Sequence, residues 1–427
     1  MRIVDLGEAL DLDAVDRLLT APRPGDSAAA SVETIVEDVR ERGDAALFEF
    51  SKKFDGVDMD ASTVRVSPET IRDHAAGADD ELVGILKVAI SNIRRFHEEQ
   101  LQASWEIYAG DGVHLGQRVT PVQRVGLYIP GGTAAYPSSV LMNAIPAQVA
   151  GVERLVVVTP PRSLEENPLV AAALELLELD EVYRVGGAQA VAALAYGTAS
   201  IPRVDKIVGP GNQYVQGAKR LVFGQVHIDM VAGPSEVAIV ADETCDPAWI
   251  AADLLAQAEH DELAGVWLIC WSEDLAAAVF DQVQIQLDSL DRDAIARVAV
   301  ANNGITFLVG GEADAISLVN HIAPEHVEVL MAEPDRIADG IRNAGALFVG
   351  RYSPTVVGDY FAGPNHVLPT ARTARFFSPL GVYDFQKRTS MVRYSGRAIE
   401  RSGNMIEKFA IAEGLTGHAR SITIRRH

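Results

Sequence analysis

Between residues 125 and 240, short apolar runs alternate with alanine-rich stretches, and several of the runs end in glycine or proline. An apolar run without polar alternation needs cover on both faces, which helices crossing between parallel strands provide. Strands are therefore expected at 125–129, 155–159, 182–185, 206–208 and 237–240. They are punctuated by Pro130-Gly131-Gly132, Pro160-Pro161, Gly186-Gly187 and Gly209-Pro210-Gly211. A second series of the same kind places strands at 266–271, 306–309, 327–330 and 347–349. Upstream, apolar spacing predicts helices over 26–55 and 67–102, and helical character returns near 404–412 in a polar, charged C-terminal stretch.

The chain of 427 residues, 48 % hydrophobic, is long enough for more than one core. Its 37 Lys and Arg against 59 Asp and Glu leave a net charge of −22, which argues against a nucleic-acid backbone or an anionic membrane as partner. Charges interrupt the first residues where a signal peptide needs an apolar core, and no apolar run reaches membrane-spanning length. A cytoplasmic location is the expectation. Cys245 and Cys270 form no CxxC or zinc-knuckle pattern and are expected to be inert, reduced thiols.

Four polar stretches set a histidine beside a carboxylate or amide: Gln257 with His260, Glu325-His326, Asp359 with Asn365-His366, and Glu413 with His418. An amide and an imidazole three residues apart, joined by a distant Asp and a distant His, make the donor inventory of a mixed N/O divalent-metal site, with zinc the best match. Glu325 and His326 are then left as an acid/base pair. Asp246 and Pro247 suit the start of a helix expected to run through His260, with Gln257 on the same apolar stripe as Ile250 and Leu254. Each cluster alone has a bland reading: a satisfied buried Gln, an exposed Glu-His pair, an Asx turn at Asp359. Their weight comes from their company.

No GxGxxG follows the first strand and no GxxxxGK[ST] occurs anywhere, so the usual dinucleotide and nucleotide fingerprints are absent. Ligands of open α/β sheets nonetheless sit at strand carboxyl ends, where Tyr128, Gln189 and Asn212 accompany the Gly-rich loops.

Seven strings in order carry a resemblance that spans essentially the whole chain: VGLYIPGGTAAYPSSVLMNAIPAQVAGVE from Val125, GGAQAVAALAYGTA from Gly186, VGPGNQYVQ from Val208, HIDMVAGPSEVA from His227, QAEHD from Gln257, PEHV from Pro324 and GDYFAGPNHVLPTA from Gly358. Together they resemble the histidinol dehydrogenase family. Ala371-Arg372, where that family often shows glycines, and Asp261-Glu262-Leu263 depart from its pattern.

The resemblance implies an α/β fold of two incomplete Rossmann-like domains with mostly parallel sheets plus small N- and C-terminal elements. Residues 1–24 would form an N-terminal helical element, and 25–124 with 237–379 a discontinuous α/β domain carrying the zinc and catalytic residues. Residues 125–236 would be an inserted NAD-binding domain, and 380–427 an element crossing to the partner of a homodimer. It also implies one zinc per subunit held by Gln257, His260, Asp359 and His418, the last arriving from the partner subunit. Substrate contacts would come from Ser235, Gln257, His260, Glu325, His326, Asp359, His366, Glu413 and His418, and NAD contacts from Tyr128, Gln189 and Asn212. Glu325 and His326 would be catalytic in oxidising L-histidinol through its aldehyde to L-histidine, with two NAD consumed. An alternative is a relative acting on another polar alcohol, such as a sulfonated polyol.

Overall fold

A computed structural model describes residues 1–7, 10–19, 29–131 and 136–426. Two six-stranded sheets and one three-stranded sheet organise them. The first sheet is wholly parallel, in the spatial order Arg2–Asp5, Gly304–Leu308, Gly265–Cys270, Glu236–Ala241, His326–Leu330, Ala346–Val349. Along Glu236–Ala241 successive side chains enter opposite cores. Val237 and Ile239 pack with the helices Pro247–Ala258 and Glu273–Leu287, whereas Ala238 and Val240 pack with Glu312–Ile322. Both faces are dry, which is why the run carries no polar alternation.

The second sheet follows the order Arg65–Val66, Val182–Arg184, Arg154–Thr159, Arg124–Tyr128, Lys206–Val208, His227–Ile228, parallel except for its first short edge strand. Every strand expected in the two series is present within a residue or two. One face is covered by Asp80–Glu98, Pro137–Ala150 and Pro168–Leu176, the other by Ala29–Arg42, Asp44–Asp55, Gly187–Tyr196 and Gln213–Val222.

The packing differs from the expected division in three places. The helices of residues 29–98 bury their apolar faces on the second sheet, with the strands of 124–228, rather than on the first. The N-terminal element expected to be helical opens on a strand, Arg2–Asp5, paired in parallel with Gly304–Leu308, before its helix Leu12–Leu18. Residues 20–28 and Gly132 of the expected turn lie outside the described residues. Third, Trp105–Tyr108, His114–Pro121 and Gln386–Arg393 form an antiparallel sheet that the sequence did not announce, because its strands are exposed or half-buried and carry no sustained apolar run. The helix expected over 26–55 is cut at Gly43, whose φ of 57° is poorly suited to any side chain, and the one over 67–102 is cut at 76–79.

The chain passes from the carboxyl end of His227–Ile228 to the amino end of Glu236–Ala241 through only 229–235. The carboxyl ends of the second sheet are thereby brought toward the amino ends of the first. After Ala346–Val349 the chain returns across the same junction. The Asn92 amide donates to the Phe361 carbonyl at 3.0 Å, and Gly233 N–H donates to the Thr370 hydroxyl. Among the described residues no helix is long and apolar enough to cross a membrane.

Candidate active site

Every functional side chain drawn from the first sheet lies at its amino edge. Ala323 closes the helix Glu312–Ile322 in the left-handed conformation (φ 52°), Pro324 cannot continue it, and Glu325-His326 then enter the next strand as its threshold. Ala346 N–H donates to the Glu325 carbonyl at 2.8 Å, and a side chain at Gly345 would stand 2.5 Å from that oxygen, so the backbone there has one position. Both side chains are buried.

His326 Nδ1 lies 2.9 Å from the Glu236 carbonyl oxygen, to which it can only donate. That bond fixes the neutral tautomer and leaves Nε2 with its lone pair. Nε2 is buried without a hydrogen-bond partner and faces Asp359 Oδ1 at 3.8 Å. Burial, helped by the charges of His260 and His366, lowers His326 to about 4. The imidazole is thus neutral across the working range, a proton acceptor held ready.

Glu325 accepts the Glu236 N–H at 2.9 Å through Oε2, which lies 3.5 Å from His326 Nδ1. Burial raises its carboxyl well above the ordinary value, and the charges of Glu236 and Asp359 push the same way. Asp359 is raised to about 7 by burial. His366, lowered to about 4 by burial, has Nδ1 3.1 Å from the Asp359 carbonyl oxygen, which orients its ring toward the same centre. Asn365 beside it is structural: its amide donates to the Met142 carbonyl at 2.6 Å and its oxygen accepts Val367 N–H at 2.9 Å.

Gln257 is buried on the apolar stripe of Pro247–Ala258, capped as expected by Asp246. That helix ends at Ala258 instead of running through His260, which follows in a turn closed by His260 N–H donating to the Gln257 carbonyl at 3.3 Å. The break frees His260 from helical spacing. The imidazole keeps an exposed edge, yet the atoms crowded about it depress its pKa. Asp359 sits in the short helix Thr355–Tyr360, not in an Asx turn. Ser235 is half-buried, and its carbonyl accepts Gly265 N–H at 2.9 Å.

Two expected members stay away from this centre. Glu413 ends the helix Gly396–Ala412 and His418 lies in Thr416–Thr423, both exposed. Among the described residues no group of three or more His, Cys, Asp or Glu in one chain is placed to hold a metal. Gln257, His260 and Asp359 offer an amide oxygen, an imidazole and a carboxylate at one edge, so the donor chemistry fits a divalent cation that needs one further ligand.

The expected dinucleotide contacts gather at the carboxyl ends of the second sheet. Gly187 N–H donates to the Tyr128 hydroxyl at 3.0 Å, and burial pushes that phenol up to about 12. The buried Gln189 folds back over Gly187, whose φ is 70°. Exposed Asn212 caps the helix Gln213–Val222 by accepting Tyr214 and Val215 N–H. Tyr128 and Asn212 flank the point where strand order reverses between Arg124–Tyr128 and Lys206–Val208, and Gln189 follows the strand Val182–Arg184, tied to Tyr128 through Gly187.

Glu236 is the residue the sequence reading passed over. Its backbone serves both Glu325 and His326, its Oε1 accepts Ala371 N–H at 3.1 Å, its Oε2 is buried without a partner, and burial raises its carboxyl to about 7. A glutamate heading an otherwise apolar strand was the available signal. Ala371 and Arg372 both have left-handed backbones (φ 51° and 67°), which accounts for glycine being the residue expected there. Cys245 and Cys270 are buried free thiols, each pushed up to about 11 chiefly by burial, and are unsuited to nucleophilic work.

Neutral imidazoles and raised carboxyls at the mouth of one sheet, facing a nucleotide-type crevice of another, define an α/β enzyme of the acid–base class. The histidinol dehydrogenase family model matches residues 21–426. A histidinol dehydrogenase of Geobacter sulfurreducens is 48 % identical over 427 residues, covering all of both chains, and one of Bacillus subtilis is 51 % identical over 398 residues, 92 % of each. The crystal structure of histidinol dehydrogenase from Elizabethkingia anophelis superposes with a TM-score of 0.93 at 35 % identity, covering 100 % of this chain and 98 % of that one. This chain belongs to the histidinol dehydrogenase family, a family of NAD-dependent oxidoreductases.

Proposed function

We propose that this enzyme oxidises L-histidinol through L-histidinal to L-histidine, reducing two NAD for each histidine formed. Family membership supports the substrate, and the relatives' names give no support to another polar alcohol. One observation carries the mechanism: His326 is locked in a single neutral tautomer by the Glu236 carbonyl, with Nε2 unpartnered at the centre of the cluster.

His326 Nε2 takes the hydroxyl proton while the carbinol hydride leaves to NAD at the Tyr128, Gln189 and Asn212 crevice. Glu325 in its carboxylate form, its Oε2 3.5 Å from His326 Nδ1, takes a proton from the water that adds to the aldehyde carbon, while His326 returns the proton it took to the aldehyde oxygen and is neutral again. His326 then accepts the proton of the hydrate as the second hydride leaves. His366 and Ser235 line the same mouth and orient the substrate.

Gln257, His260 and Asp359 would hold a zinc ion, with His418 supplied by a second copy. When bound, the ion serves as a template for the imidazole and amino groups of the substrate. Glu413 would reach the substrate from the same second copy. Exposed Met405, Phe409, Leu415 and Ile424 on the C-terminal helices support such a homodimer, since apolar side chains on one terminal element suit a partner surface. Free, buried thiols suit a reducing cytoplasm.

The test is NADH formation with L-histidinol, before and after chelation and zinc add-back, counted per histidine. Two NADH per histidine, lost to chelator and restored by zinc, supports the reading. Absence of NADH from zinc-replete enzyme overturns it.

A further inference from the structure

The helix Gln213–Val222 has a buried polar face that the chemistry above does not use. Gln216 and Lys219, three residues apart and therefore on one side, are each only 1 % exposed. A long charged side chain is rarely buried unless fully partnered.

Lys219 Nζ donates to the Gly209 carbonyl at 3.0 Å and ion-pairs with Asp229 Oδ1. Asp229 returns to the same glycine, its Oδ2 accepting Gly209 N–H at 2.8 Å, while Oδ1 accepts Met230 N–H at 2.6 Å. Both polar groups of Gly209 are thus held by one ion pair. The position is closed to any other residue, since its φ is 118° and a Cβ there would stand 2.1 Å from the Tyr128 carbonyl oxygen. Gln216 makes a second bridge: its amide donates to the Gly211 carbonyl at 3.3 Å and its oxygen accepts Ala232 N–H at 2.9 Å.

Both side chains join the same two strips of backbone. One is the loop 209–212, which ends in Asn212 and abuts Tyr128. The other is the segment 229–232, which runs on into Ser235 and Glu236, whose carbonyl sets the tautomer of His326. We infer that Gln216 and Lys219 are positioning residues for hydride transfer, fixing the dinucleotide loop against the backbone that aims His326. Burying an ion pair contributes little net stability, and a single enforced geometry is the return. Hydride transfer is the kind of step in which small misplacement is costly.

The inference rests on the reading of Tyr128, Gln189 and Asn212 as dinucleotide contacts. The experiment uses zinc-loaded, dimeric enzyme and compares Gln216→Met with wild type. It measures the KM for NAD, kcat, the deuterium isotope effect with L-histidinol labelled at the carbinol carbon, and zinc retention against a chelator. A rise in the KM for NAD or fall in kcat of about tenfold, with a larger isotope effect and unchanged zinc retention, is expected. Unchanged NAD KM, kcat and isotope effect would overturn the inference. Gln216→Glu keeps the acceptor for Ala232 and lacks the donor to Gly211. It is expected to show the same changes in smaller measure, and it stands in if the methionine variant does not fold. Gln189→Ala and Tyr128→Phe separate the two readings: if neither weakens NAD, both readings fall, whereas a loss there with none at Gln216 removes only the helix inference.

Discussion

Thr355 donates its backbone N–H, at 2.6 Å, and its hydroxyl to a single carboxylate oxygen of Glu328. Glu328 is wholly buried on the strand that begins with His326, and Thr355 begins the short helix that carries Asp359. Behind Glu328 lies Asp253, on the helix that carries Gln257. The three elements that meet at the active centre are therefore joined beneath it by two carboxyl groups.

Burial raises both Glu328 and Asp253 above the ordinary carboxylate range, and at Glu328 the Asp253 charge adds to the effect. Folded chains then bind protons that unfolded chains have released. What these two groups contribute to stability is full below about pH 4 and is lost as pH rises through the raised folded values. Glu328→Gln keeps an acceptor for Thr355 and removes the share of this dependence that Glu328 carries. Urea unfolding should show wild type weakening between about pH 5 and pH 8 and the variant weakening less, by about 1–3 kcal/mol at the upper end. Parallel profiles would refute the account.

Replacing His326 with glutamine keeps a donor toward the Glu236 carbonyl while removing the lone pair at Nε2. NADH formation from L-histidinol should fall by about 10²–10⁴, with the melting temperature and zinc content near those of wild type. Because burial holds the imidazole at about 4, the acid limb of wild-type kcat/KM should lie below the ordinary histidine range. A limb near the free-histidine value would assign the base elsewhere.

Glu325→Gln separates the two oxidations. The alcohol step should continue at a reduced rate, and conversion of added L-histidinal to histidine should drop by at least about a hundredfold. Equal losses in both steps would show that Glu325 serves binding rather than water activation.

His418→Ala should cost zinc affinity and activity without unfolding the chain, since the side chain is exposed within its own subunit. Refolding it with His326→Gln chains, themselves nearly inactive, should restore activity, to about a quarter of wild type for random pairing. In such mixed dimers one site combines an intact body with an intact His418. No recovery on mixing would place His418 in the site of its own chain.

Much of the architecture was legible because burial on both faces writes itself as uninterrupted apolar runs, as in Val237–Ala241 or Val156–Val158. The antiparallel sheet of Trp105–Tyr108, His114–Pro121 and Gln386–Arg393 was not, since strands left exposed or half-buried carry no such run. Helices over 29–98 read clearly as helices, but nothing in their spacing said which sheet they would cover.

By itself, the sequence determined which residues could do chemistry: imidazoles, carboxyls and an amide placed where apolar packing has no use for them. Tertiary structure alone decided what each of them is. Burial keeps His326 neutral, the Glu236 carbonyl opposite Nδ1 leaves Nε2 as the acceptor, and common burial raises Glu325, Asp359 and Glu236 together. Residue type sets a group's repertoire locally along the chain, whereas desolvation and hydrogen-bond partners come from atoms brought close only by folding.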